Sequence, residues 1–276
     1  MLESKEGMSK YLIFGSGASA CKDLDGLRVV CRSAMSHGIL KFDTAPSYKT
    51  EEVLSRAISM CRQELGINRE TCFIQTKIDP IQMYNGKVEE YFKNKLSEME
   101  LDYVDSLLIH WPLKKYFMRT WESLQKLKEG MYVKYIGICN LRVRHLKELL
   151  EKGIVPDILQ IERHPLNVFE EERVFCEQHN ILLQDYSPLC KMHPIISENM
   201  EIRNIAEKYN RSIGQVILGW HIATGAYPVF TSTRPERVVQ YSQLEDFSLT
   251  QDEIDIISSL NCNHKLYLES LVCPGF

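Results

Sequence analysis

Residues 72 to 77 read Cys72-Phe73-Ile74-Gln75-Thr76-Lys77, a short apolar run that closes on an ammonium group. The same form recurs on either side of it. Leu40-Lys41-Phe42-Asp43 ends on a carboxylate, with the phenol of Tyr48 five residues further on, and Ser106-Leu107-Leu108-Ile109-His110 ends on an imidazole. Short apolar runs of this kind are expected of strands covered on both faces. Working outward from residues 72 to 76, strands are expected at Leu12–Phe14, Leu40–Asp43, Ser106–His110, Tyr135–Ile138, Ile158–Ile161, Ile181–Asp185 and Tyr227–Phe230. Helical spacing lies between them: Leu24, Leu27, Val30, Cys31 and Ala34 fall at three- and four-residue steps, as do Val53, Leu54, Ala57, Ile58 and Cys61. Further helices are expected at Val88–Met99, Met118–Lys128, Arg142–Lys152, Glu170–His179, Met200–Tyr209 and Gln215–Thr224. Eight strands alternating with helices over 276 residues predict an α/β fold, a single (β/α)8 TIM barrel spanning 1–276. The competing doubly wound sheet lacks its phosphate fingerprint, since Gly15-Ser16-Gly17 is followed by Ala20 where a third glycine belongs.

Composition narrows the function classes. With 37 acidic and 33 basic residues the net charge is -4, and neither sign forms a block that would attract nucleic acid or an anionic membrane. No apolar stretch approaches the roughly 18 residues of a membrane span, and the first ten residues are polar, so a cytoplasmic monomer is expected. Nine cysteines without CxxC spacing, several inside strand or helix patterns (Cys31, Cys61, Cys72), read as reduced buried thiols. Cys190, in the loop after Tyr186, reads either as an accessible thiol or as a silent one.

A barrel builds its active site from strand C-termini, which makes Asp43, Tyr48, Lys77 and His110 the candidate catalytic set. Taken singly, Asp43 suits a turn cap, Tyr48 a loop aromatic and His110 a structural histidine. Together they suit proton transfer. A phenol with a pKa of about 10 needs nearby positive charge to act near neutrality, and Lys77 would supply it. Asp43 would hold the ammonium in place, and His110 would orient or polarise a carbonyl oxygen through a hydrogen bond.

The combination of Asp43-Thr44-Ala45-x5-Glu51, Thr76-Lys77, Leu101 to Pro112, Ile136-Gly137-Ile138-Cys139-Asn140, Tyr186-Ser187-Pro188-Leu189 and Ser232 to Arg237 resembles the aldo-keto reductases from Gly15 to about Leu260. The resemblance implies a nicotinamide cofactor bound by a barrel, with Tyr48 as general acid in carbonyl reduction. It also implies that Asn140, Gln160 and the neighbouring Cys139 hold the nicotinamide carboxamide, and that Tyr186 stacks on the ring. Gly17 and Ala18 would approach the cofactor. Ser187 and Leu189 would line its pyrophosphate, and Ser232, Thr233, Arg234, Arg237 and Tyr241 its adenosine end.

Departures from the family pattern set the open questions. Thr231 stands where a lysine commonly meets the 2'-phosphate, and Tyr241 where an asparagine is usual; Arg234 and Arg237 keep NADPH as the expected cofactor, with NADH as the alternative. Cys139 replaces a serine. Ser19 replaces a tryptophan that often walls the substrate pocket while Trp111 is kept, and with Ser47 and Asp79 this predicts a wider, more polar pocket for a small carbonyl substrate. The segment before Tyr11 is short for the hairpin that usually plugs the barrel bottom. The chain beyond Asn261 (262–276, with Tyr267, Leu271 and Phe276) reads as a substrate loop over the mouth or as a loose tail. Glu162 with His164 has no third ligand at metal spacing, so no metal is expected. The second function class is a nicotinamide-binding sensor or scaffold without turnover.

Overall fold

The computed structural model describes residues 8–17 and 22–268. Its strands are β1 (Ile13–Gly15), β2 (Lys41–Asp43), β3 (Phe73–Ile78), β4 (Val104–Ile109), β5 (Val133–Cys139), β6 (Ile158–Glu162), β7 (Leu182–Tyr186) and β8 (Tyr227–Phe230). They close into one parallel barrel in chain order, β8 pairing with β1 through Ile13 opposite Val229. The helices are α1 (Leu24–Ser36), α2 (Glu51–Leu65), α3 (Pro80–Asn85), α4 (Val88–Glu98), α5 (Phe117–Glu129), α6 (Val143–Glu151), α7 (Glu170–Gln178), α8 (Pro194–Ser197), α9 (Met200–Lys208), α10 (Ile213–Ala223), α11 (Pro235–Ser242) and α12 (Gln251–Ser258).

The eight strands and eight long helices read from the sequence are all present, with ends moved by one or two residues. The helices α3, α8, α11 and α12 stand outside those eight. Each is short, and each starts on local chemistry more than on periodicity: Pro80, Pro194 and Pro235 occupy first-turn positions, and Thr250 forms a capping box with Glu253.

Side-chain parity divides the barrel into an outer and an inner layer. In β3, Ile74 and Ile78 pack outward into the main core shared with the helices. Thr76, also outward, donates to Glu51 at the start of α2 at 2.5 Å, which ties the Asp-Thr-Ala-x5-Glu stretch to its neighbour strand. Phe73, Gln75 and Lys77 point inward. The strand runs one residue past Lys77, so the ammonium lies inside the barrel and not at its rim.

The interior changes character along the barrel axis. At the strand N-termini it is aromatic, with Phe73 stacked on Tyr135 and Tyr11 against Tyr227. Midway it is an apolar plug of Leu108, Cys139 and Ile158. Gly137 makes that plug possible, because a Cβ there would stand 2.4 Å from the Ile158 carbonyl oxygen and 2.6 Å from the Leu108 side chain. Toward the strand C-termini it is polar: Asp43, Gln75, Lys77, Gln160 and Gln184 are all buried. Buried polar groups persist only where they satisfy one another, so this layer must be a network.

Candidate active site

The Asp43 carboxylate ends β2 and the Lys77 ammonium projects from β3 toward it, at 2.7 and 2.8 Å from its two oxygens. Lys77 also donates to the Thr44 carbonyl at 2.9 Å. Burial alone would lower its pKa, but the surrounding groups, Asp43 foremost, together outweigh burial and hold Lys77 ionised, above its ordinary value. The Lys77 ammonium lies 4.9 Å from the centre of the Tyr48 ring. Tyr48 ends a short turn after β2 and brings its hydroxyl to 3.4 Å from His110 Nε2.

The phenol behaves differently from the expectation. Lys77 does pull its pKa down, but burial is the larger effect and pushes it up to about 12. Tyr48 is therefore a protonated phenol at neutral pH, which is the form a proton donor needs.

Asp79 does not wall the pocket. It turns onto His110, accepting from Nδ1, and its other oxygen accepts the Ser47 amide at 2.7 Å. Burial would raise the Asp79 carboxyl; His110 and Ser47 outweigh it and keep the group below its ordinary value. An ionised carboxylate only accepts, so Nδ1 carries the proton. Burial holds the His110 pKa below 6.5 despite Asp79, and Lys77 adds to that lowering. The neutral ring consequently offers a lone pair at Nε2, where the Tyr48 hydroxyl donates.

Asp43, Tyr48 and His110 face a cavity of about 330 Å³. Among the residues expected at the site, Gly17, Asp43, Ser47, Tyr48, His110, Trp111, Gln160, Tyr186 and Ser187 line it. Asn140 lies just behind, donating to the His110 carbonyl at 3.0 Å and accepting from the Tyr186 hydroxyl at 2.8 Å. Cys139 lies below Gln160, its thiol 3.9 Å from the Gln160 carbonyl oxygen. Leu189 packs against the core, and Ser232 caps its own turn by accepting the Arg234 amide at 3.0 Å. Thr233, Arg234 and Arg237 are exposed around the start of α11. Tyr241 is not brought to the cavity; its ring is buried against Phe230 at 5.5 Å and would meet a Cβ on Gly214 at 2.8 Å. Ala18 and Ser19 lie outside the described residues, as do Leu271 and Phe276.

Several participants were missed. Thr231, known from the sequence only as a departure, joins the lining with Gly15 and Val229; Tyr267, named in the substrate-loop reading of the chain beyond Asn261, lines it too. Tyr267 arrives from the C-terminal segment, edge-on to Tyr186 at 5.8 Å. Buried Glu162 at the end of β6 holds that segment by accepting the amides of Leu266 and Tyr267 at 2.6 and 2.9 Å, and it pairs with His164 at 3.0 Å. Gln75 and Gln184 lie beneath Gln160, and only their inward parity, two residues before Lys77 and Tyr186, could have marked them. Behind β7, Asp185 accepts from Arg163 at 2.8 Å and pairs with His221 at 2.6 Å, and the other His221 nitrogen meets the carbonyl of Pro188 in the loop after β7 at 3.1 Å. Cys190 is buried and its thiol is pushed up to about 11 by burial, which makes it the silent thiol of the two readings.

An aromatic face at Tyr186, a carboxamide oxygen at Gln160 and a Tyr-Lys-Asp-His set around one cavity fit a flat ring bearing a primary amide. The profile of the Aldo/keto reductase family matches residues 12–262. The chain belongs to that family. Glyoxal reductase of Bacillus subtilis is 34% identical over 255 residues, covering 92% of this chain and 90% of that protein. Methylglyoxal reductase DkgA of Escherichia coli O157:H7 is 31% identical, covering 85% and 84%. Among solved structures, the Bombyx mori aldo-keto reductase in complex with NADP superposes with a TM-score of 0.86 at 27% identity, over 94% of this chain and 92% of that one. As an aldo-keto reductase the protein is a nicotinamide-dependent enzyme of carbonyl reduction.

Proposed function

We propose that this protein uses NADPH to reduce a small aldehyde or ketone to the alcohol, with Tyr48 giving the proton. The observation that carries the reading is the contact chain Asp43, Lys77, Tyr48, His110 on one side of a cavity whose other side is formed by Tyr186 and Gln160. Bound NADPH supplies a hydride for the carbonyl carbon. Tyr186 offers a face for the nicotinamide ring, and Asn140 and Gln160 offer polar groups for its carboxamide. Ser187 and Leu189 are assigned to the pyrophosphate. Arg234 and Arg237, with Ser232 and Thr233, are assigned to the adenosine end, where two exposed guanidinium groups favour a cofactor bearing a 2'-phosphate.

The proton moves from the Tyr48 hydroxyl to the carbonyl oxygen. Lys77, kept ionised by Asp43, faces the phenolate left behind and stabilises it without having to move. His110 adds a hydrogen bond to the same oxygen only when Nε2 carries a proton, which with Asp79 on Nδ1 means the imidazolium form. The volume of the cavity and its walls of Trp111, Tyr267 and Ser47 suit a compact polar substrate. The glyoxal and methylglyoxal reductases among the relatives make α-dicarbonyl compounds the first class to try.

Tyr48→Phe tests the assignment. Loss of a positioned acid removes about 10²- to 10⁴-fold of rate. The variant should bind NADPH with wild-type affinity by fluorescence and oxidise it at least a hundredfold more slowly with methylglyoxal. Wild-type turnover in the variant sinks the assignment of Tyr48, and wild-type protein that binds NADPH but turns over no carbonyl would point to a sensor.

A further inference from the structure

Beneath the cavity, the barrel interior holds three glutamines and one carboxylate in a closed set of hydrogen bonds. Gln75 and Gln160 donate to the same Asp43 oxygen at 2.7 and 3.2 Å. Both also donate to Gln184 Oε1, each at 2.8 Å, and Gln184 returns a bond to Gln75 Oε1 at 3.1 Å. All three amides are almost completely buried.

The orientation of a side-chain amide is normally ambiguous, but here one charge decides it. Asp43 is paired with Lys77 and therefore ionised, so it accepts and never donates. The atoms of Gln75 and Gln160 that face it must be nitrogens. Both Gln160 protons are then committed, one to Asp43 and one to Gln184, and Gln184 must present oxygen to receive it. Its nitrogen is left to meet the Gln75 oxygen. Each amide dictates the next, and no member can flip without setting donor against donor. Among the described residues, Gln160 Oε1 has no partner but the weak Cys139 thiol at 3.9 Å.

We propose that Gln75 and Gln184 are positioning residues that lock the Gln160 amide in the orientation its direct bond to Asp43 favours, so that Gln160 shows the cavity only a carbonyl oxygen. This rests on the reading of the cavity as a nicotinamide site. Gln160 then accepts from the carboxamide NH₂ and rejects a ligand that carries an acceptor or a methyl group there. Fixing the carboxamide fixes which face of the ring lies against Tyr186, and with it the position of the transferred hydrogen.

The experiment compares NADP⁺ with its 3-acetylpyridine analogue, in which a methyl group replaces the amide nitrogen, by quenching of intrinsic tryptophan fluorescence. Wild-type protein should bind NADP⁺ about tenfold more tightly than the analogue, the worth of one buried hydrogen bond. Gln184→Met keeps the shape of the side chain and removes all three of its bonds, and should cut that ratio at least threefold. Gln184→Glu should retain the ratio: beside the Asp43 carboxylate its carboxyl stays protonated and supplies the same acceptor and the same donor. A merely structural role for Gln184 would weaken both ligands alike and leave the ratio intact in Gln184→Met, which overturns the proposal. Wild-type protein that binds both dinucleotides equally also overturns it, while wild-type protein that binds neither overturns the cofactor reading beneath it. Should Gln184→Met fail to fold, Gln75→Met removes the bond from the opposite side of the barrel and is expected to move the ratio in the same direction.

Discussion

Asp79→Asn is the perturbation with the most specific consequence. In the wild-type protein the carboxylate accepts from His110 Nδ1 and from the Ser47 amide. An asparagine at 79 keeps its oxygen on the Ser47 amide, whose proton demands an acceptor, and so turns its NH₂ toward Nδ1. The neutral ring then moves its proton to Nε2 and becomes a donor to the substrate oxygen at every pH. Asparagine is also a good helix cap, so α3 survives the change. The cost is one charge-assisted bond, about 1.5–3 kcal/mol. The sign of the pH effect follows from the wild-type ring, whose pKa lies below 6.5 because burial disfavours its charge. Whatever its value beneath that limit, the imidazolium fraction falls about tenfold for each pH unit above neutrality. With Tyr48 protonated throughout this range, carbonyl reduction by the wild-type protein should lose about tenfold in kcat/KM between pH 7 and pH 8, measured at saturating NADPH. Asp79→Asn should vary by less than about twofold over the same interval. A flat wild-type profile, or a variant that keeps the tenfold slope, refutes the role given to His110.

Two further outcomes follow from the C-terminal wall of the cavity and from the start of α11. Glu162→Ala removes the acceptor for the Leu266 and Tyr267 amides, so the wall formed by Tyr267 should loosen and raise KM for a small carbonyl severalfold with kcat within about twofold; an unchanged KM would detach that segment from substrate binding. Arg234→Ala and Arg237→Ala should each reduce the preference for NADPH over NADH by about tenfold, the worth of a charge-assisted contact to phosphate. If the ratio of kcat/KM for the two cofactors stays constant in the double variant, the 2'-phosphate is held elsewhere.

How much of this was legible in the sequence depends on the range of the interactions involved. The alternation of strand and helix patterns was local and carried the barrel. Asp43, Lys77 and His110 were legible because each ends an apolar run with an ionisable group that packing cannot explain. The direction of the Tyr48 shift was not, since it depends on the balance between burial and one cation, and burial is a property of the closed barrel. Asp79 was read as pocket lining because it follows Lys77 closely; only the start of α3 at Pro80 turns it onto His110. Tyr241 was read by analogy of position, while its ring is held by Phe230 and Gly214, elements far apart in the chain. Gln75 and Gln184 carried no local signal. They are 109 positions apart and meet only because β3 and β7 face each other across the barrel.

The polar upper half of the barrel interior has a consequence for anyone who wants a hardier protein. Replacing buried polar sets by apolar side chains of similar volume is often neutral or stabilising. Asp43, Gln75, Lys77, Gln160 and Gln184 are the positions where a search guided by thermal tolerance would find its easiest gains, and they are also the floor of the proposed active site. Selection for heat resistance alone would drift toward an inert barrel, so activity has to be screened alongside it from the first round. The outer layer, where Ile74 and Ile78 meet the helices, is the safer place to look.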